Sequence, residues 1–317
     1  MNGKRFSLGL VLTVLLAVVT VTILAWTLPE EFYMDGEYPY WKQQKDYILT
    51  DGTHSETLLL GDSRMKVGVR PELLGDDVFN LALGGGTPIE MYYTLTDYLA
   101  HHPTPKMIIV AFGPTHYNDI GCYMSRNAYF HYFSKERLEE VNQKILELNK
   151  KDYSSETYRY VYRFPIVYMK PLLNALKSPQ TPSNHARYEK AAEILGRMPA
   201  PEKEMVNVEP EETKDTHFRP MASQTYYMQK LIEACLEHHI PLHIEQAPMG
   251  RYGIAKLAAS GYLAEYEAYM KSFAEKYPLD VNPTIPAYED DEFGDNSHLN
   301  EKGQLHFTEE LRRKYFE

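Results

Sequence analysis

From Phe6 to Pro29 the chain carries no charged side chain, and the nineteen residues from Leu8 to Trp26 are almost wholly apolar. No other feature restricts the fold as tightly. A helix of that length reaches roughly 28 Å, close to the hydrocarbon thickness of a bilayer. In lipid the segment must be helical, because its backbone polar groups have no water to bond. Lys4 and Arg5 precede the run, and Glu30, Glu31, Asp35 and Glu37 follow it. This asymmetry predicts a cytoplasmic N-terminus and an extracytoplasmic remainder, with Trp26 at the interface. A cleaved signal peptide has the same basic start and apolar core. Against cleavage, the run is long for a signal, and Ala25-Trp26-Thr27 is a poor small-x-small site. The expectation is a single-pass cell-membrane protein held through residues 6–28: a tip and signal anchor over 1–29, a membrane-proximal stalk over 30–55, and a domain over 56–317.

Composition narrows the class of that domain. The chain has 317 residues, with 33 basic against 44 acidic side chains, for a net charge of −11. Without Lys4 and Arg5 the exported part stands at −13. Such a surface argues against nucleic-acid binding, which needs a basic face. A 44% hydrophobic fraction with 13% aromatics excludes a disordered chain. Two cysteines, Cys122 and Cys235, exclude a disulfide-rich scaffold and the multi-cysteine zinc patterns; whether they pair is left open. His101-His102, His238-His239 and His243 sit at helix ends or nearby, where histidines complement the helix dipole. No metal or cofactor is expected.

Short apolar runs alternate with helical stretches. Thr57 to Leu60, Val78 to Leu83, Met107 to Phe112 and Pro241 to Ala247 read as strands, and Thr284 to Ala287 as a last short one. Pro88 to His101, Gln224 to His239, Ile254 to Lys276 and Glu301 to Phe316 read as helices. The pattern predicts an α/β three-layer sandwich with a parallel sheet. Residues 120–220 break it: a polar helix over Ser134 to Lys151, an aromatic stretch over Tyr158 to Leu176, a loop over 178–184, and an acidic, proline-containing connection over Pro199 to Asp215. This region reads as a helical insertion or lid.

Two segments carry groups suited to chemistry. Leu58-Leu59-Leu60-Gly61-Asp62-Ser63-Arg64 places a serine directly after an apolar strand, where open parallel sheets bind ligands. Gly294-Asp295-Asn296-Ser297-His298-Leu299-Asn300 places a carboxylate three residues before a histidine, ahead of the final helix. His298 is positioned to take the Ser63 proton, and Asp295 to orient the ring. Taken singly, each has a plainer reading: Ser63 as a helix cap, and His298 as an exposed neighbour of a capping Asn300.

Gly61-Asp62-Ser63 after a strand, with a late Asp-x-x-His, resembles the SGNH/GDSL hydrolase superfamily. The resemblance covers about residues 56–120 and 220–317. It implies a flavodoxin-like fold, with Ser63 as nucleophile and Asp295 and His298 completing the triad. The family's second block supplies an oxyanion-hole glycine, and Phe79-Asn80-Leu81-Ala82-Leu83-Gly84-Gly85-Gly86-Thr87 matches it. Gly85 is the expected donor beside Ser63, with Gly84 or Gly86 as alternatives. The third block departs from the family. Gly-x-Asn-Asp is replaced by Phe112-Gly113-Pro114-Thr115-His116-Tyr117-Asn118-Asp119. Either Asn118 reaches back as the oxyanion donor, or Thr115 or His116 substitutes. Arg64, Thr115, His116 and Arg219 are further candidates for substrate binding; His217 shares a segment with Arg219.

Combined with the anchor, the layout is similar to the membrane-anchored members of that superfamily that act in teichoic-acid D-alanylation and alginate O-acetylation. The resemblance implies an extracytoplasmic serine O-acyltransferase or esterase acting on a cell-envelope polysaccharide or teichoic-acid-like polymer. An acyl donor and a membrane-bound O-acyltransferase are the partners it implies. The alternative is a non-catalytic protein of the same fold that binds polymer or tethers such a transferase.

Overall fold

The computed structural model describes residues 3–34, 36–52 and 54–317, with side chains from Phe6 onward. Asp35 and the side chains of Lys4 and Arg5, invoked above for orientation, lie outside the described residues. The chain divides into two compact units, each made of two chain segments: residues 1–39 with 124–188, and residues 40–123 with 189–317.

In the second unit, Leu58, Leu59 and Leu60 are all fully buried. A strand buried on both faces needs a continuous apolar run, and this one has it. Strands β1 (Thr57–Gly61), β2 (Val78–Asn80), β3 (Met107–Ala111), β4 (Leu242–Glu245) and β6 (Asp280–Val281) form a five-stranded sheet in the order β2-β1-β3-β4-β6. Every pairing is parallel. Two further strands, β5 (Met249–Gly250) and β7 (Ala287–Tyr288), pair in parallel as a separate ribbon. Leu59 and Ile109 point into one core with Met65 of α4 (Ser63–Gly68) and Phe307 and Leu311 of α14 (Glu301–Tyr315). Leu58, Leu60, Ile108 and Val110, equally buried, alternate to the opposite face. There α5 (Pro88–His101) packs on β1 and on α11 (Ala222–Glu237). The expected α/β architecture with a parallel sheet is present.

Several expectations are corrected. Residues 40–49 are not stalk: α3 (Tyr38–Leu49) buries Trp41, Gln44 and Ile48 at helical spacing, and Tyr47 stacks on Phe79 with ring centroids 3.6 Å apart. The insertion is narrower than 120–220, since residues 189–220 belong to the α/β unit. Residues 181–184 open α10 (Thr181–Glu193) rather than a loop, because Pro182 lies in the first turn, where its missing N–H costs nothing. The helix expected over Ile254 to Lys276 is two, α12 (Arg251–Ser260) and α13 (Tyr262–Lys276). They are divided at Gly261, whose φ of +86° ends the first. The last strand is β7, which begins at Ala287 rather than Thr284, since Pro283 and Pro286 before it cannot donate to a ladder, and the fifth strand of the sheet is β6. Cys122 and Cys235 are free thiols.

In the first unit, α1 (Gly3–Thr27) contains the apolar run as one helix, with a mean hydropathy of 2.7 over an 18-residue stretch within Phe6–Thr27. It is long and apolar enough to cross a membrane. Thr13, Thr22 and Thr27 each donate their hydroxyl to the carbonyl four residues back, at 2.8 to 2.9 Å, so none brings an unsatisfied group to the helix surface. The same unit holds α2 (Glu30–Tyr33), α7 (Lys135–Asn149), α8 (Ser154–Val161) and α9 (Pro165–Lys177).

Candidate active site

The site is built around Gly61, which ends β1. Its φ is +144°, and a Cβ there would lie 2.0 Å from the Ala111 carbonyl oxygen at the end of β3. Only glycine lets the two strand ends approach so closely. Asp62 follows with its side chain fully buried and caps α4 by accepting from the Arg64 N–H at 2.7 Å. Its other oxygen accepts from the Gly113 N–H at 2.7 Å and lies 2.9 Å from His116 Nε2. Burial pushes the Asp62 carboxyl upward, but His116, Arg64 and the Gly113 N–H together hold it well below the usual carboxylate range. Ser63 is therefore fixed at the start of α4 by the residue before it.

Asp295 and His298 reach Ser63 from a loop ahead of α14. Asp295 Oδ1 accepts from the N–H of Ser297 at 2.7 Å and of His298 at 2.8 Å, folding the loop on itself. Gly294 N–H donates to the His298 carbonyl, Phe293 bridges Leu299, and Asn300 caps α14. His298 Nδ1 lies 2.8 Å from Asp295 Oδ2, and His298 Nε2 lies 2.8 Å from Ser63 Oγ. A carboxylate only accepts, so Nδ1 carries the proton and Nε2 is left to accept from the serine. Partial burial raises the Asp295 carboxyl, yet the His298 ring and the loop N–H groups outweigh it, holding it at about 2. Ser63 and His298 are both partly exposed, so the pair is open to a ligand.

The glycine turn lies beside the same strand end. Leu83 N–H donates to the Gly61 carbonyl, and Asn80 ties the segment to the Met65 carbonyl at 2.9 Å. Of the three glycines, Gly85 alone has a positive φ, +68°, while a Cβ on Gly86 would sit 3.2 Å from the Gly61 carbonyl. Among the described residues, neither the Ser63 nor the Gly85 N–H meets an acceptor. Thr87 then caps α5 in a reciprocal box with Glu90.

The loop after β3 differs from the expectation. Asn118 donates its amide to Tyr262 Oη at 3.2 Å and is committed to α13 rather than to Ser63. Thr115 Oγ1 donates to Glu212 Oε1 at 3.2 Å. Arg64 is buried and donates to the same Glu212 oxygen at 2.6 Å, with its guanidinium against Gly113, so it faces inward and does not line an open cleft. Arg219 is exposed, alongside the Glu265 carboxylate that accepts from His217 and the Phe218 N–H. Of the four proposed binding residues only His116 touches the Ser63 segment by its side chain without being sequestered there, at 17% exposure. Sequence reasoning missed Glu212 and Tyr262. Glu212 sits in a stretch of prolines and acids that reads as solvent-exposed, although its side chain is 0% exposed.

No protein-family model and no curated protein matches this chain.

Proposed function

We propose that this chain is a membrane-anchored serine O-acyltransferase or esterase of the SGNH/GDSL type, acting outside the cytoplasm on acyl groups of an envelope polymer. The observation that carries this reading is the continuous hydrogen-bonded line from Ser63 Oγ through His298 to Asp295, both links at 2.8 Å. Such a line is what activates a serine near neutral pH.

In this reading His298 Nε2 removes the Ser63 proton as Oγ attacks an ester carbonyl. The oxyanion meets the free N–H groups of Ser63 and Gly85. His298 then returns the proton to the departing alkoxide, leaving an acyl-serine. A polymer hydroxyl gives transfer, and water gives hydrolysis. Either is deprotonated by His298, attacks the acyl carbonyl, and restores Ser63 with its proton. The apolar α1 supports anchoring beside a membrane-bound O-acyltransferase that supplies the acyl group. The net charge of −13 beyond Arg5 means that an anionic polymer would be held by a local site rather than by bulk attraction.

A fluorophosphonate probe tests the assignment. The intact chain should be labelled covalently, and Ser63→Ala should lose the label completely. Equal labelling of the variant would remove Ser63 from the mechanism. The second reading, a non-catalytic polymer binder or tether, is favoured by Asn118 being held by Tyr262, which leaves no asparagine donor at the oxyanion. It is supported if the intact chain binds polysaccharide and takes up no label.

A further inference from the structure

Helix α9 is built inside out for a helix in water. Its buried side is Tyr168, Leu172 and Ala175. Its outward side is Ile166, Met169, Leu173 and Leu176, exposed by 78%, 45%, 51% and 60%. A surface helix of a soluble protein turns polar residues outward at those spacings. The helix contains no acidic residue, its basic residues are Lys170 and Lys177, and Pro171 lies in its interior. Phe164 and Tyr162, just ahead of it, are exposed as well.

The position of α9 says what covers that face. It packs against α1, within the same unit. Along α1, every residue from Leu8 to Thr20 is exposed, whereas Val21, Thr22 and Leu24, and Leu28 just past its end, are half-buried and Ala25 is fully buried. The covered part is thus the last two turns of the apolar run. The start of α9 is pinned there: Arg163 donates to the Ala25 carbonyl at 2.5 Å, to Tyr33 Oη at 2.9 Å and to Glu30 at 2.6 Å, and lies over the Trp26 ring at 4.9 Å. Arg163 holds this place at a φ of +50°, a strained value for a residue with a side chain. Glu30 is held from the other side by His131, itself at +52°.

A helix lying against the membrane-spanning part of α1 shares its depth. We infer that α9 is a second membrane-contacting element, set in the leaflet where α1 ends, with Ile166, Met169, Leu173 and Leu176 against lipid chains and Lys170 and Lys177 reaching toward headgroups. The apolar face of α9 then continues the lipid-facing surface of α1 and needs no protein to cover it. This inference stands on α1 as a span and not on the acyl-transfer reading.

The test uses the full chain carrying Leu173→Cys with Cys122→Ser, labelled with an environment-sensitive fluorophore. The protein is reconstituted into phosphatidylcholine vesicles with a minor fraction of phosphatidylglycerol. Lipids bearing a spin label on the acyl chain should quench emission several-fold, as they should for a reporter at Ile23→Cys, while aqueous iodide should have little effect. Met169→Cys provides a second reporter on the same face if the first variant folds poorly. Strong iodide quenching with none from the lipid chains would place α9 in water and overturn the inference. Protection from both quenchers would mean that a second copy of the protein covers the face, and would overturn it equally.

Discussion

His116 Nε2 lies 2.9 Å from Asp62 Oδ2, so the residue immediately before Ser63 shares its carboxylate with the loop that leaves β3. The same oxygen also takes the Gly113 N–H and the other takes the Arg64 N–H, so a fully buried charge gains partners from two strand ends. Removing the ring leaves that charge under-satisfied, at a cost of about 1–3 kcal/mol. His116→Ala should therefore lower the thermal midpoint of the α/β unit, and His116→Gln should recover part of the loss. Unchanged melting of His116→Ala would show that Asp62 is satisfied without it.

Acid should act through the same carboxylates. Asp62 and Asp295 both titrate lower in the fold than in an unfolded chain, where an aspartate sits near 3.9. Their contribution is complete above the unfolded value and is lost as pH falls through the folded ones. Unfolding midpoints should stay level from neutrality to about pH 5 and drop steeply below about pH 4. Asp62→Asn, less stable at pH 7, should show a shallower acid slope. An identical slope in that variant would assign acid sensitivity to other groups.

Asp295→Asn keeps the shape of the loop but presents an amide to His298 Nδ1. The ring then favours the tautomer that points a proton at Ser63. On the acyl-transfer reading, turnover of an ester probe should fall by roughly 10⁴-fold, with binding of the probe little changed. A loss below tenfold would remove Asp295 from its assigned role.

The Arg64–Glu212 pair is almost wholly withdrawn from water, at 6% and 0% exposure. Glu212→Gln leaves a buried guanidinium without its counter-charge, which costs about 3–5 kcal/mol. Replacing both residues by methionine should restore much of the stability, since the pair's own desolvation disappears with it. Denaturant midpoints for the single and double variants decide the matter: equal loss in both would mean that the shape of the pair, not its charge, supports Gly113 and Thr115.

Gly61→Ala places a methyl group 2.0 Å from the Ala111 carbonyl at a φ of +144°. The backbone conformation alone costs about 1–3 kcal/mol, and the collision adds to it. The variant should be strongly destabilised or insoluble. Native-like melting would show that β1 and β3 can separate at their ends.

What the sequence disclosed follows from how local each signal is. Pro88 to His101 is found to the residue because Thr87, Pro88 and Glu90 mark its start by side-chain chemistry of their own. Leu58 to Leu60 announce a strand buried on both sides. The Ser63, Asp295 and His298 grouping was legible because both motifs sit at element boundaries, although 235 residues separate serine from histidine. Partners from distant segments gave no such mark. Glu212 is buried by Arg64 and Thr115, and Asn118 is drawn away by Tyr262, contacts with no trace in spacing. The break at Gly261 was lost because a lone glycine leaves helical periodicity intact on both sides.

The division of the chain sets an order on its own synthesis. The chain passes between the two units three times, near residues 39, 123 and 188. When residue 188 has been made, the unit bearing α1 has all its segments, while β3 still lacks β4 as a neighbour. Ser63 waits longer still, for a histidine that belongs to the last twenty residues of 317. A ribosome on this message therefore finishes the α1-bearing unit well before the loop that brings His298 to Ser63. A chain stopped after residue 188 and before His298 would carry the apolar helix α1 and a Ser63 hydroxyl without its histidine partner.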